Sequence, residues 1–344
     1  MIKPLTSLRF IFALLVFAAH CYTIDSHFAH FLYKEGYVGV EFFFVLSGFV
    51  ITYNYQSKFE AQSITKRNFW IARFARVYPL HWATLFLSLL TGGALLAMNW
   101  DKAVVFFCQL FLIHPFVPID TYFFSYNSPS WSLGCEQLFY VLFPFLALWL
   151  SSTKRLFWTI SIVGALCAIG MYFTPVDLIK GYWYVNPVTR FPDFLVGMLL
   201  FKLYDRSKKD WSFNRATCYE LGAVAVFLAF YYCGAAGLLP KVYRYTVYYW
   251  LPIALTIYVF AINKGLLSRI LSNKYLVIGG EISYGIYLLH LFVMQLYTES
   301  NWNYSSWIVI PAILLITIAL SLLSFYYFEK PVNRYIRNKY IYQK

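Results

Sequence analysis

The first long apolar run of the chain, residues 5–24, reads LTSLRFIFALLVFAAHCYTI. It has about the 20 residues that an α-helix needs to cross a lipid bilayer. Arg9 and His20 lie eleven residues apart in this run, so on a helix they share nearly one face and are about 16 Å apart along the axis. An arginine inside hydrocarbon costs about 2.5 kcal/mol or more, so such residues usually face a cavity or a partner. We expect the face that carries Arg9 and His20 to be functional.

The rest of the chain has a similar composition. Of the 344 residues, 60% are hydrophobic and only 12% are charged, which is typical of membrane spans and not of one soluble core. This predicts an all-α, polytopic integral membrane protein with about ten transmembrane helices in a single domain over residues 1–344. The 99–130 region is broken by prolines and is predicted to form an outer re-entrant or interfacial segment. The other predicted spans are residues 37–55, 77–98, 131–150, 156–174, 187–204, 217–235, 245–262, 282–298 and 306–328.

The basic residues orient these helices. Most of the 28 lysines and arginines fall in the alternate loops that lie on the side of the N-terminus. The positive-inside rule then places both termini in the cytoplasm. Contact of these loops with the anionic lipid bilayer accounts for the net charge of +13 without nucleic acid as a partner. The six cysteines form no C-x-x-C pair, so the sequence predicts neither a metal site nor a disulfide framework.

Polar residues recur on single faces of several predicted spans. In most cases they have a structural interpretation beside a functional one. For Arg190 and Asp193, three residues apart, a structural ion pair is favoured over a catalytic role. His290 fits a hydrogen-bonded interfacial histidine as well as a site residue, whereas His20 and Glu136 favour function because both point inward. Gly48, on the same face as Glu41, allows either close helix approach or a ligand next to the backbone. The other polar candidates are Glu41, Ser47, Ser132, Tyr140, Ser283 and Tyr287.

Arg73 and Arg76 precede the third predicted span, on its cytoplasmic side. Guanidinium groups at i and i+3 form a two-pronged donor that suits phosphate, because each presents a planar fork of N–H groups. The alternative interpretation is plain topological anchoring, which explains most cytoplasmic arginines.

The order of these motifs is similar to that of the membrane-bound acyltransferase family 3. The resemblance covers essentially the whole chain, with small departures at Glu41, where Asp is commoner, and at Gly134 and Cys135, often Ser and Val. Some members carry a soluble SGNH-type domain after the last helix, and here we expect the stand-alone form. The matching stretches are Leu8-Arg9 to His20, GVEFFFVLSGF at 39–49, RFARVYP at 73–79, SWSLGCEQLFY at 130–140, RFPDFLVG at 190–197, ISYGIYLLH at 282–290 and YFEKP at 327–331.

The resemblance implies an O-acyltransferase of the bacterial inner membrane that moves an acetyl group from acetyl-CoA to a hydroxyl of a surface polysaccharide or glycolipid. Arg73 and Arg76 would then hold the phosphates of CoA, and Arg9 would hold a phosphate or guide the thioester inward. His20 would act as general base, oriented by Glu136. Alternatives within the same class are an acetyl-enzyme intermediate on His20, transfer of another acyl group, or an antibiotic, peptide or lipid as the acceptor. A transporter or flippase with a buried proton relay is the alternative from another class, although the sequence lacks the repeats that such proteins usually show.

Overall fold

The computed structural model describes residues 2–28, 30–90, 99–150, 152–207, 210–300, 302 and 304–342, and within these ranges the chain is helical without strands. The predicted all-α class is confirmed. Ten helices of 13 residues or more follow one another in the described ranges: α1 Lys3–His20, α2 Val38–Glu60, α3 Lys66–Leu89, α4 Trp131–Trp149, α5 Thr153–Phe173, α6 Pro187–Arg206, α7 Phe213–Ala235, α8 Trp250–Ile262, α9 Lys274–Glu299 and α10 Ser306–Ser324. Shorter helices lie at His30–Glu35, Trp100–Leu110, Asp120–Phe123, Lys241–Arg244, Leu266–Leu271 and Lys330–Arg337.

Seven of these helices are long and apolar enough to cross a membrane: α1, α2, α4, α5, α7, α9 and α10, the last continuing without a break to Tyr342. The chain is therefore an integral membrane protein. Each of the other three overlaps a predicted span but is shorter or carries more charge. Helix α8 has only 13 residues, and α3 and α6 carry charged side chains along their length.

Helix α3 begins eleven residues before the predicted span at 77–98. Thr65 sets this start, because its side chain accepts a hydrogen bond from the Asn68 backbone N–H and caps the helix. The helix ends at Leu89, and residues 91–98 lie outside the described residues. Arg73 and Arg76 consequently lie on the helix and not before it, so both side chains project from one fixed face.

Residues 99–130 form short helical pieces separated by turns, consistent with an irregular segment. The segment packs against the bundle through buried polar contacts. The His81 ring of α3 bonds the Gln109 carbonyl at 2.8 Å, and the Trp82 indole donates to the Leu110 carbonyl at 3.0 Å. These contacts satisfy backbone groups that irregular structure would otherwise leave unpaired.

Helix α2 forms the centre of the bundle. In the apolar 18-residue stretch of α2, 72% of the residues are buried, against 22% in the corresponding stretches of α5 and α7 at the periphery. It crosses α6 at Gly48 and Gly197, where a Cβ on Gly48 would meet the Phe194 carbonyl oxygen at 2.1 Å. The predicted close approach at Gly48 is confirmed, because only a residue without a side chain fits there.

Helices α1 and α9 cross equally closely. A Cβ on Gly280 of α9 would lie 1.8 Å from the Thr6 carbonyl oxygen of α1. The crossing fixes the two helices side by side, so that the polar face of α1 meets that of α9. This packing places Arg9 and His20 in two separate environments.

Candidate active site

A cavity of about 160 Å³ lies within the bundle, between α1, α2, α3, α4 and α9. Most of the predicted site residues line it, although they come from distant parts of the sequence. The polar residues around it are Arg9, Ser47, Arg73, Arg76, Ser132, Glu136, Tyr140, Ser283, Tyr284 and Tyr287. Four predicted residues lie elsewhere: His20, Glu41, Arg190 and His290.

Three arginines give the cavity its charge. Arg73 donates from Nη2 to the Tyr55 hydroxyl at 3.1 Å, and Arg76 forms a 3.5 Å ion pair with Glu329. Arg9 takes part in no ion pair among the described residues. Cations in this setting are stabilised by an anion. The cavity thus has the character of an anion-binding site.

One carboxylate of the cavity lies among these cations. The Tyr140 hydroxyl donates to Glu136 Oε2 at 2.5 Å, one helical turn away on α4. The guanidinium of Arg73 also lies over the Tyr140 ring, 5.8 Å from its centroid. Glu136 therefore belongs to the arginine cavity, and the structure does not bring it to His20 as the sequence led us to expect.

His20 instead pairs with His290. Nε2 of His290 lies 3.2 Å from Nδ1 of His20, and the ring centroids are 4.9 Å apart. His290 is 1% exposed, whereas His20 is half-buried at the end of α1. The pairing follows from the α1–α9 crossing and joins residues 270 positions apart in the sequence.

The backbone around the pair assigns its protons. Nδ1 of His290 lies 3.1 Å from the Ile286 carbonyl, and Nδ1 of His20 lies 2.9 Å from the Val16 carbonyl. Because a carbonyl can only accept, both Nδ1 atoms carry the proton in the neutral rings. Nε2 of His290 is then an acceptor for His20, and Nε2 of His20 keeps its lone pair. We assign this tautomer, in which His20 can accept a proton from a bound molecule.

Tyr287 connects the cavity with the histidine pair. Its hydroxyl lies 2.8 Å from Ser132 Oγ and donates to the Pro129 carbonyl at 2.9 Å. Its ring is 6.2 Å from the His290 ring. The arginine cavity and the pair are therefore neighbouring compartments, with Tyr287 and Ser132 between them.

Arg190 and Asp193 form the predicted ion pair, at 2.8 Å and almost without exposure. The indole of Trp250 also donates to Asp193 at 2.6 Å. Glu41 is fully buried, and its carboxylate oxygens have no hydrogen-bond partner in the described ranges. These residues lie beside the α2–α6 crossing and not in the cavity, which agrees with the structural interpretation of the ion pair.

Two cavity contacts were not predicted as site features. Glu329 reaches Arg76 from the helical continuation of α10 beyond Ser324, and Tyr284 lies beneath the Arg76 guanidinium, 5.5 Å from its ring centroid. Both residues fall within the stretches quoted above for the family resemblance. The family motifs could therefore have identified these two residues, whereas the periodicity of a single helix could not.

Comparison with known proteins agrees with this arrangement. Residues 3–326 match a family described as an acyltransferase domain, acyltransferase family 3. The chain belongs to this family. It is therefore an enzyme that transfers an acyl group, and the predicted family is confirmed. No solved structure matches the chain.

The curated relatives of the chain include named acyltransferases. Acyltransferase MdmB of Streptomyces mycarofaciens is 28% identical over 335 residues, which cover 86% of this chain and 79% of MdmB. The peptidoglycan O-acetyltransferase OatA of Listeria monocytogenes is 28% identical over 362 residues, covering 94% of this chain. The match spans 54% of OatA, about half of its length.

Proposed function

We propose that the protein is an O-acetyltransferase that moves an acetyl group from cytoplasmic acetyl-CoA to a hydroxyl of a cell-surface polysaccharide or glycolipid. The convergence of Arg9, Arg73 and Arg76 on one cavity carries this proposal. Named O-acetyltransferases among the relatives support acetyl as the acyl group.

The cavity suits a donor with phosphate groups. Each guanidinium presents paired N–H donors in the geometry that a phosphate accepts. The Tyr55 hydroxyl holds Arg73 in place and Glu329 holds Arg76, while Arg9 supplies a cation that forms no ion pair with the part of the chain that the structure describes. In acetyl-CoA the acyl group lies at the end of a long flexible arm. A donor held at the arginines would extend that arm along α1.

His20 is the proposed general base, with His290 as its positioning residue. The acceptor oxygen attacks the carbonyl carbon of the thioester, so a C–O bond forms while the C–S bond to CoA breaks. The hydroxyl proton passes to Nε2 of His20 and then to the departing CoA thiolate. The lone pair of His290 stabilises the positive charge that His20 carries in between.

The charge distribution supports the finer topology that we propose. Ten membrane-spanning helices, α1 to α10, would place both termini in the cytoplasm, with the protein in the bacterial inner membrane. Arg73 and Arg76 are then within reach of cytoplasmic acetyl-CoA, and His20 lies toward the outer face. Labelling of single cysteines introduced near Ile2 and in the 99–130 segment tests this orientation in intact cells.

Thermal unfolding of the purified full chain with acetyl-CoA tests the donor site. We expect acetyl-CoA to raise the melting temperature, and Arg73→Ala and Arg76→Ala to remove most of the shift. Arg67→Ala is the matched control, because Arg67 lies on the same helix but is exposed outside the cavity. Equal shifts in all three variants would contradict the assignment of the arginines to CoA. The absence of any shift in the wild type at saturating acetyl-CoA would favour a transporter or flippase.

Incubation with labelled acetyl-CoA in the absence of acceptor separates two routes. Direct attack leaves the protein unlabelled, whereas an acetyl-enzyme retains the label. His20→Ala should abolish transfer in either case while leaving the protein in the membrane. Near-normal turnover by that variant would exclude His20 as the base.

A further inference from the structure

A second cleft, of about 250 Å³, opens at the end of the bundle that the charge distribution predicts to be outer. It lies where the ends of α1, α3 and α9 meet residues 126–128. The arginine cavity has a different set of lining residues, so the two are distinct spaces. We call this second space the outer cleft.

The outer cleft contains neutral hydrogen-bonding groups and no charged side chain among the described residues that line it. Leu291 and Phe292 add an apolar surface. Hydroxyl and amide groups over an apolar floor suit a ligand that has several hydroxyls and an apolar ring face. Its polar lining includes Thr23, Thr84, Asn127, Ser128, Gln295 and Thr298.

The outer cleft adjoins the histidine pair along both helices that carry it. Thr23 donates from Oγ1 to the His20 carbonyl at 2.8 Å. Leu291 directly follows His290 on α9, and Asn127 donates to the Leu288 carbonyl of the same helix at 3.3 Å. Thr23, Gln295 and Thr298 are exposed. The cleft is therefore open to solvent, and the residues that line it include direct neighbours of the histidine pair on both helices.

We propose that the outer cleft binds the acceptor, as an uncharged polyhydroxylated ring such as a neutral sugar residue with its reacting hydroxyl toward His20. This proposal rests on the acyltransferase function proposed above. The enzyme then has a cationic donor site and a neutral acceptor site at opposite ends of α1. A site that bonds hydroxyl groups also rejects analogues that lack them, because its polar groups would remain unpaired.

Bulky substitutions in the outer cleft test its role. Thr298→Trp and Ser128→Trp fill it from two different elements, and Thr121→Trp is the matched control at an exposed position outside it. Each variant is expressed as the full chain in a deletion strain, and base-releasable acetate is measured on the purified surface polysaccharide. We expect a loss of tenfold or more for the two cleft variants and acetate within twofold of wild type for the control.

Acetyl-CoA-dependent thermal stabilisation is measured on the same proteins. We expect it to be unchanged in all three tryptophan variants, because the donor cavity is separate. Wild-type levels of acetate from both cleft variants would overturn the acceptor site alone. A wild-type protein that neither binds acetyl-CoA nor transfers acetyl would overturn the function on which the proposal rests.

Charge substitutions at Thr298 test the chemical class of the acceptor and serve if a tryptophan variant fails to fold. For a neutral ring, Thr298→Asp and Thr298→Lys should both lower transfer, by a similar factor of about three to ten. For an anionic acceptor the lysine variant would transfer more than wild type and the aspartate variant less. That second outcome would overturn the neutral-sugar assignment.

Discussion

Replacing His290 tests whether it positions His20, the proposed general base. In His290→Phe the ring remains but the acceptor nitrogen for His20 Nδ1 is lost, whereas His290→Gln retains a side-chain acceptor. A hydrogen bond to a charged partner is worth about 1.5–3 kcal/mol. The Val16 carbonyl, at 2.9 Å, continues to bond the same proton, so we take the lower end, about 1.5–2 kcal/mol. At about 1.36 kcal/mol for each tenfold, kcat should fall roughly 10- to 30-fold in His290→Phe.

The assay is acetyl-CoA-dependent release of CoA by the purified full chain, with acceptor present and pH varied. The conservative His290→Gln should retain kcat within about threefold of wild type. Stabilisation by acetyl-CoA should be unchanged in both variants, because His290 does not line the arginine cavity. The pH profile of kcat should shift in His290→Phe and not in His290→Gln, because only the first removes the hydrogen-bond acceptor from His20.

Two results would refute this reasoning. One is a His290→Phe variant with kcat within threefold of wild type, which would show that the Val16 carbonyl alone suffices. The other is an equal loss in both variants with no change in pH profile. That result would assign His290 to packing between α1 and α9 and not to the base.

Three further predictions concern cavity charge, helix crossing and the ion pair. Arg9→Met should weaken acetyl-CoA binding about 10- to 100-fold without lowering the melting temperature, since Arg9 forms no ion pair within the described ranges. A lower melting temperature with intact binding would contradict this. Gly48→Ala should destabilise the protein by about 1–3 kcal/mol. Gly222→Ala is the control and should be neutral or slightly stabilising, because the added methyl group meets open space. Equal melting temperatures of the two variants would refute the close crossing. Asp193→Asn should lower the free energy of unfolding by about 3–5 kcal/mol, because it leaves Arg190 buried without its anion. The double variant Arg190→Met/Asp193→Leu should recover most of this stability. An unchanged melting temperature in Asp193→Asn would exclude a stabilising pair.

Local patterns were sufficient to predict the helices and the contacts within them. The long apolar runs predicted spans, and the structure has a helix in each of them. The i, i+3 spacing of Arg190 and Asp193 predicted their ion pair. The start of α3 was misplaced because hydrophobicity alone defined that span. The capping side chain of Thr65 extends the helix through a polar stretch that hydrophobicity leaves out.

The partner of His20 could not be predicted in the same way. Helical periodicity shows which face of α1 carries His20 and Arg9, but not which helix lies opposite. Packing of α1 against α9 at Gly280 decides that, and it brings His290 to His20 while Glu136 remains with the arginines. The family motifs contain His20, Glu136 and His290 without indicating how these residues pair.

The continuity of α1 limits which molecules can serve as donors. Arg9 and His20 lie on one helix, Lys3–His20, with no proline between them, so no hinge in this stretch can bring Arg9, a proposed phosphate ligand, to the proposed base. The reach of about 16 Å must come from the donor molecule itself. A compact activated acyl compound, such as an acyl phosphate, would be held at the arginines with its reactive carbon far short of His20. The fixed length of α1 therefore favours a donor that carries its acyl group at the end of a long flexible chain.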